Sequence, residues 1–287
     1  MTVLITTDEL ATALGSDRPP VVLDVRWQLG GPPGHPVYLE GHVPGAVYVD
    51  LDTELAAHGA PTDGRHPLPD PTAFQESARS WGIDDGDTVV VYDGAGNLAA
   101  ARAWWLLRWA GVDDVRILDG ALPAWVAGGQ PLSTDDVWPA PGLLTVRPGS
   151  LATVDVTQVA DRPGVLVDAR APERYRGATE PIDPKAGHVP GAVNVPTGGN
   201  LAADGSFLPA AALRERFAAA GVDGSRPVTV YCGSGVTAAH EIAALAIAGI
   251  DATLYPGSWS QWSNLDLPVQ LEGADGPVVA DAVGADR

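Results

Sequence analysis

Seven residues of this chain, Gly41-His42-Val43-Pro44-Gly45-Ala46-Val47, occur again letter for letter from Gly187 to Val193, an offset of 146. Three more blocks follow the same rule. Val22-Leu23-Asp24-Val25-Arg26 answers to Leu166-Val167-Asp168-Ala169-Arg170 at an offset of 144. Val89-Val90-Val91-Tyr92 answers to Val228-Thr229-Val230-Tyr231 at 139, and Gly120 with Trp125 answers to Gly257 with Trp262 at 137. Four blocks in one order with a slowly drifting offset mean that one unit was duplicated. A chain of 287 residues leaves each copy the size of an ordinary domain.

Each copy reads as α/β. The short apolar runs Val21–Val25, Val89–Tyr92, Val165–Val167 and Val228–Tyr231 have the composition of strands covered on both faces. Helical stretches alternate with them. Leu98–Ala110 stops at Gly111 and Thr237–Ala248 stops at Gly249, the glycine that commonly ends a helix. Alternation of this kind predicts mostly parallel sheets flanked by helices, with ligands beyond the C-terminal strand ends. The expected division is a first domain over 1–136, a Pro- and Gly-bearing linker over 137–149, a second domain over 150–271, and an acidic tail over 272–287.

Composition narrows the partners. The net charge of −19 repels nucleic acid and anionic membranes, and it makes any cluster of arginines informative about an anionic substrate. One cysteine permits no intramolecular disulfide and no resolving pair, and no His/Cys spacing suits a metal. Met1 to Leu14 lacks the pattern of a signal peptide, and no apolar run reaches the roughly 18 residues of a membrane span. The expectation is a cytoplasmic protein.

Duplication supplies an internal control. Features present in both copies read as structural: His42 and His188 of the GHVPGA loops, and the Asp24/Arg26 and Asp168/Arg170 pairs. Features present once are candidates for chemistry. The sharpest difference follows the third block. The first copy continues Asp93-Gly94-Ala95-Gly96-Asn97-Leu98, the second Cys232-Gly233-Ser234-Gly235-Val236-Thr237. A cysteine thus stands at a strand tip, before a glycine-punctuated loop that opens a helix. Main-chain N–H groups and the helix dipole favour an ionised sulfur there. Glycines let the backbone wrap closely around a bound group, and the hydroxyls of Ser234 and Thr237 add hydrogen bonds.

Two chemistries use such a cradle. Cysteine phosphatases need an arginine six residues after the nucleophile to grip phosphate. That position is Ala238 here, whereas a singly charged persulfide needs only backbone donors. With its paired domains, doubled GHVPGA loop and Cys232-Gly233-Ser234-Gly235-Val236-Thr237-Ala238 run, the chain resembles the tandem-domain rhodanese-family sulfurtransferases from about Leu4 to Leu267. The resemblance implies a silent first domain with aspartate in place of cysteine, which Asp93 matches. It implies catalysis in the interdomain cleft without metal or organic cofactor.

The neutral Gly233-Ser234 pair is similar to the 3-mercaptopyruvate branch, where thiosulfate-preferring members carry basic residues. In that branch the serine acts with an aspartate and a histidine of the first domain, which implies roles for Asp52 and His66. Arg174 matches the arginine that holds the donor's anionic end. A second arginine commonly follows a Glu-Pro pair; here Glu180-Pro181 is followed by Ile182, leaving Arg176 or Lys185 as substitutes. The implied site is Cys232, Ser234, His66 and Asp52 for catalysis, and Arg174, Gly233, Gly235, Val236 and Thr237 for the donor. The implied reaction carries sulfur from 3-mercaptopyruvate or thiosulfate through a Cys232 persulfide to a thiol, a thioredoxin-like protein or cyanide. A thiosulfate-preferring rhodanese, a non-catalytic sulfur carrier and a phosphatase-like enzyme are the alternatives.

Overall fold

The computed structural model describes residues 2–161 and 163–271. The tail expected over 272–287 lies outside the described residues. In the first half, β1 (Leu4–Ile5), β2 (Val21–Asp24), β3 (Val47–Tyr48), β4 (Thr88–Tyr92) and β5 (Asp114–Leu118) form one sheet. Its order is β1-β5-β4-β2-β3, every pairing parallel. In the second half, β6 (Val165–Asp168), β7 (Val193–Asn194), β8 (Val228–Tyr231) and β9 (Ala252–Leu254) follow the order β7-β6-β8-β9, again parallel throughout. Superimposing β2 on β6 and β4 on β8 makes the two orders identical. The counterpart of β1 shrinks in the second copy to a single bridge between Thr153 and Leu254.

The doubled loops explain themselves. The hydroxyl of Tyr92, at the end of β4, accepts from the Val43 N–H at 2.9 Å, and Tyr231 does the same for Val189 at 3.1 Å. His42 donates to the Tyr38 carbonyl and stacks on that ring at 3.9 Å, and His188 repeats this with Tyr175 at 3.8 Å. Arg26 is paired with Asp24 and donates to the Gly41 carbonyl; Arg170 is paired with Asp168 and donates to the Gly187 carbonyl. Each GHVPGA loop is therefore pinned to the strand that leads to Asp93 or to Cys232. These histidines and pairs hold architecture, in line with their presence in both copies.

Two helices join the halves. Ala100–Trp109 and Val236–Ile247 pack directly against each other, and nearly every side chain on both is buried. A helix apolar all round has to lie inside a protein, and these two lie between the sheets. One continuous core therefore runs from Leu23 and Val91 through Leu106 and Ala243 to Val167 and Val230. Trp105, on the first of these helices, is fully buried. Hiding an indole removes about 200 Å² from water, on the order of 5 kcal/mol before chain entropy is counted. The packing brings the C-terminal end of β8 against loops of the first half.

Candidate active site

Cys232 follows β8 directly, 1% exposed, in the wall of a cleft of about 1020 Å³. The Gly235 N–H donates to its Sγ at 3.1 Å. The loop is clamped from behind by the helix Ser258–Ser263. The Cys232 N–H donates to Ser258 Oγ at 3.2 Å, while the N–H groups of Trp259 and Ser260 donate to the carbonyls of Cys232 and Gly233 at 3.0 and 2.8 Å. Gly235 adopts φ +82°, and a Cβ there would stand 2.7 Å from the Pro256 carbonyl oxygen. The tight curl that aims its N–H at sulfur therefore needs glycine.

The first copy shows what such a curl holds. Asp93 is buried, and its carboxylate accepts from the N–H groups of Ala95, Asn97, Ala99 and Ala100 at 2.8, 2.8, 2.9 and 3.3 Å. Burial raises its pKa, and these four donors oppose the rise. A carboxyl group of the chain itself thus occupies the first cradle. The positions of these four donors correspond in the second copy to Ser234, Val236, Ala238 and Ala239, of which Ser234 and Val236 line the cleft.

The first domain contributes the two residues that the family resemblance pointed to, His66 and Asp52, which lie behind the cleft wall formed by Trp27 and Arg65 among others. His66 Nδ1 lies 2.8 Å from Ser234 Oγ, and its Nε2 lies 3.3 Å from Asp52 Oδ1. Asp52 also accepts from Trp27 Nε1 at 3.0 Å, and the Trp27 ring meets the His66 ring edge-on at 5.5 Å. Because a carboxylate only accepts, Asp52 selects the tautomer with the proton on Nε2, which leaves Nδ1 to accept from the Ser234 hydroxyl. Burial pushes the His66 pKa down to about 4; the positive charge of Arg102 works the same way, and Asp52 opposes it. His66 is therefore a neutral imidazole near pH 7. Asp52, His66 and Ser234 form one chain of contacts ending beside Cys232.

Arg174 lines the cleft, as does Thr237. A Cβ placed on Gly233 would meet Arg174 Nη1 at 3.2 Å and Arg65 Nη2 at 3.3 Å, so two guanidiniums flank the loop. Arg174 donates to Glu180 at 2.7 Å and to Asp183 at 3.2 Å, and Arg65 is paired with the other oxygen of Asp183. Neither expected substitute for the missing second arginine is in the cleft wall: Lys185 donates to the Leu265 carbonyl at 2.7 Å, and Arg176 is not among the lining residues. The second guanidinium in the cleft wall beside Gly233 is that of Arg65, from the opposite domain. Its only signal in the sequence was its adjacency to His66. Trp27 and Arg102 were also missed, because nothing in a linear reading brings them to the loop.

A model of the rhodanese-like domain matches residues 6–128 and 154–265 of this chain. The chain is 49% identical over 267 residues to the putative thiosulfate sulfurtransferase SseB of Mycobacterium tuberculosis, covering 91% of this chain and 94% of that protein. It is 44% identical to the probable 3-mercaptopyruvate sulfurtransferase of Pseudomonas aeruginosa, with 90% and 94% covered. Among solved structures it is similar to the 3-mercaptopyruvate sulfurtransferase SseA of Escherichia coli, at a TM-score of 0.80 and 32% identity over 90% of this chain and 99% of that one.

Proposed function

From the premise that this chain belongs to the rhodanese family of sulfurtransferases, we propose that Cys232 carries the transferred sulfur as a persulfide and that 3-mercaptopyruvate is the preferred donor. The observation that carries this reading is the Asp52–His66–Ser234 chain beside Cys232, with 2.8 Å between His66 and Ser234. 3-Mercaptopyruvate is a thiol, so its sulfur must lose a proton as it is transferred; thiosulfate has none to lose.

The Cys232 thiolate attacks the donor sulfur. An S–S bond forms as the donor's C–S bond breaks, and the electron pair goes to carbon. Ser234 relays the thiol proton to the neutral Nδ1 of His66, and the same path returns it to that carbon, releasing pyruvate. Arg174 and Arg65 hold the donor's carboxylate. Loop N–H groups, that of Gly235 first, receive the persulfide anion. A thiolate, from a small thiol or a thioredoxin-like protein, or cyanide then attacks the outer sulfur and frees Cys232.

Charge balance supports the same donor. Arg65, Arg170 and Arg174 stand against Asp168, Glu180 and Asp183, which cancels their formal charge. A compensated pair of guanidiniums suits a single carboxylate better than a dianion. Thiosulfate as first donor is the second reading, favoured by the name of the 49% relative.

Intact mass after mixing with 3-mercaptopyruvate tests the proposal. Wild type gains the mass of one sulfur atom and Cys232→Ser gains nothing; an unmodified wild type sinks the persulfide. Steady-state kcat/KM for the two donors decides between them, and turnover with a small thiol separates an enzyme from a carrier.

A further inference from the structure

Among the described residues three arginines are fully or almost fully buried: Arg26, Arg102 and Arg170. Arg26 and Arg170 each have an aspartate partner two residues away in sequence, Asp24 and Asp168. Arg102, 0% exposed, has no carboxylate within 4 Å among the described residues. Its guanidinium donates only to carbonyls. Nε reaches Leu55 at 3.2 Å, Nη2 reaches His66 and Pro67 at 3.0 and 3.2 Å, and Nη1 crosses to Gly235 at 3.3 Å. Carbonyl oxygens satisfy the N–H groups and leave the charge uncancelled, a costly condition inside a protein.

The placement is specific to the active side of the duplication. Gly235 is the residue whose N–H donates to Cys232 Sγ. Arg102 therefore braces the peptide that follows the sulfur's closest donor. Among the described residues, the negative group that acts on Arg102 electrostatically is Cys232. At the repeat offset of 139, the counterpart of Arg102 is Glu241. In the first half the acid, Asp93, is built in and accepts from four N–H donors, and the side chain that reaches the Gly96 backbone is His240, which burial holds neutral. In the second half the cation, Arg102, is built in, and the group in the cradle is the Cys232 sulfur. The other guanidiniums near the loop, Arg65 and Arg174, are engaged by Asp183 and Glu180.

We propose that Arg102, supplied by the catalytically silent first domain, is the fixed positive charge that holds the Cys232 sulfur as an anion. Arg102 is a positioning residue: it acts through space on sulfur and through the Gly235 peptide on the loop. Its charge also disfavours protonation of His66, so one buried cation biases nucleophile and proton acceptor toward the states that the reaction needs. The inference rests on Cys232 as the sulfur carrier.

The test is alkylation of the sole cysteine by iodoacetamide, followed by intact mass from pH 5 to pH 9 in full-length wild type, Arg102→Gln and Arg102→Lys. An opposite charge at short range moves a titration by roughly one unit or more. The Gln profile should therefore lie about one pH unit to the alkaline side, and the Lys profile should stay close to wild type. An arginine that merely ties loops together would lower the stability of both variants and leave the profiles superimposed. Superimposed Gln and wild-type profiles overturn the proposal. If Arg102→Gln does not fold, Arg102→Lys decides, because it keeps the charge and alters the hydrogen bonds. A profile near wild type supports the charge, and a full-unit alkaline displacement overturns it. Alkylation needs no sulfur donor. Failure here leaves the persulfide standing, and an unmodified wild type after donor treatment would sink the persulfide independently.

Discussion

Burial, more than any partner, sets the protonation of His66. An imidazole taken out of water and placed near the positive Arg102 gives up its proton, so its pKa falls to about 4. It can then accept from Ser234 throughout the neutral range and loses that capacity only as pH falls toward 4. His66→Gln keeps the side chain polar but removes the proton acceptor. General-base contributions of this kind are typically worth about 10²-fold or more. The variant's kcat/KM should fall about 10²-fold with 3-mercaptopyruvate and much less with thiosulfate. Parallel losses for the two donors in steady-state assays would remove His66 from proton transfer.

At the scale of an element, the helix Val236–Ile247 shows how one segment serves both a site and a core. Its first turn carries the cradle. Its middle carries Glu241, fully buried, accepting from Asn200 Nδ2 at 2.7 Å, with Thr197 and Arg216 also acting on it. His240 beside it is buried and held neutral, its pKa pushed down to about 4. Burial raises the Glu241 pKa to about 7. The sign follows from linkage: between about 4.5 and 7 the folded carboxyl keeps a proton that the unfolded one loses. Its contribution to stability is complete at the acid end and is lost as pH rises through 7. Glu241→Gln keeps an acceptor for Asn200 and cannot ionise. Its advantage in melting temperature over wild type should widen from pH 4.5 to 7 and then level off; a constant gap in thermal melts across that range would refute the assignment.

Over the whole molecule, the two halves are one folding unit in spite of their duplication. The core is continuous through the helices Ala100–Trp109 and Val236–Ile247, and an interface that large and apolar does not come apart as a linker-joined pair would. Calorimetry should record a single unfolding transition, with Cys232→Ser melting likewise as one unit. Two resolved transitions would show that the halves are thermally independent. The proposed site draws on both halves: Cys232, Ser234 and Arg174 come from the second, and His66, Asp52, Arg65 and Arg102 from the first.

Read alone, the sequence determined the duplicated α/β architecture, the parallel strands and the identity of the odd residue, Cys232 in place of Asp93. Those features are local or repeated: a buried strand must be apolar, a cradle needs glycine at Gly235, and two copies can be compared position by position. His66, Asp52 and Arg174 were legible only through the family resemblance. Arg65 and Arg102 were not legible at all. A charged side chain looks the same in a linear string whether it faces water or a buried carbonyl. Only the closing of one domain on the other decided that Arg102 would lie buried with its Nη1 on the carbonyl of Gly235, whose N–H donates to Cys232 Sγ, where a charge is screened less than it would be in water.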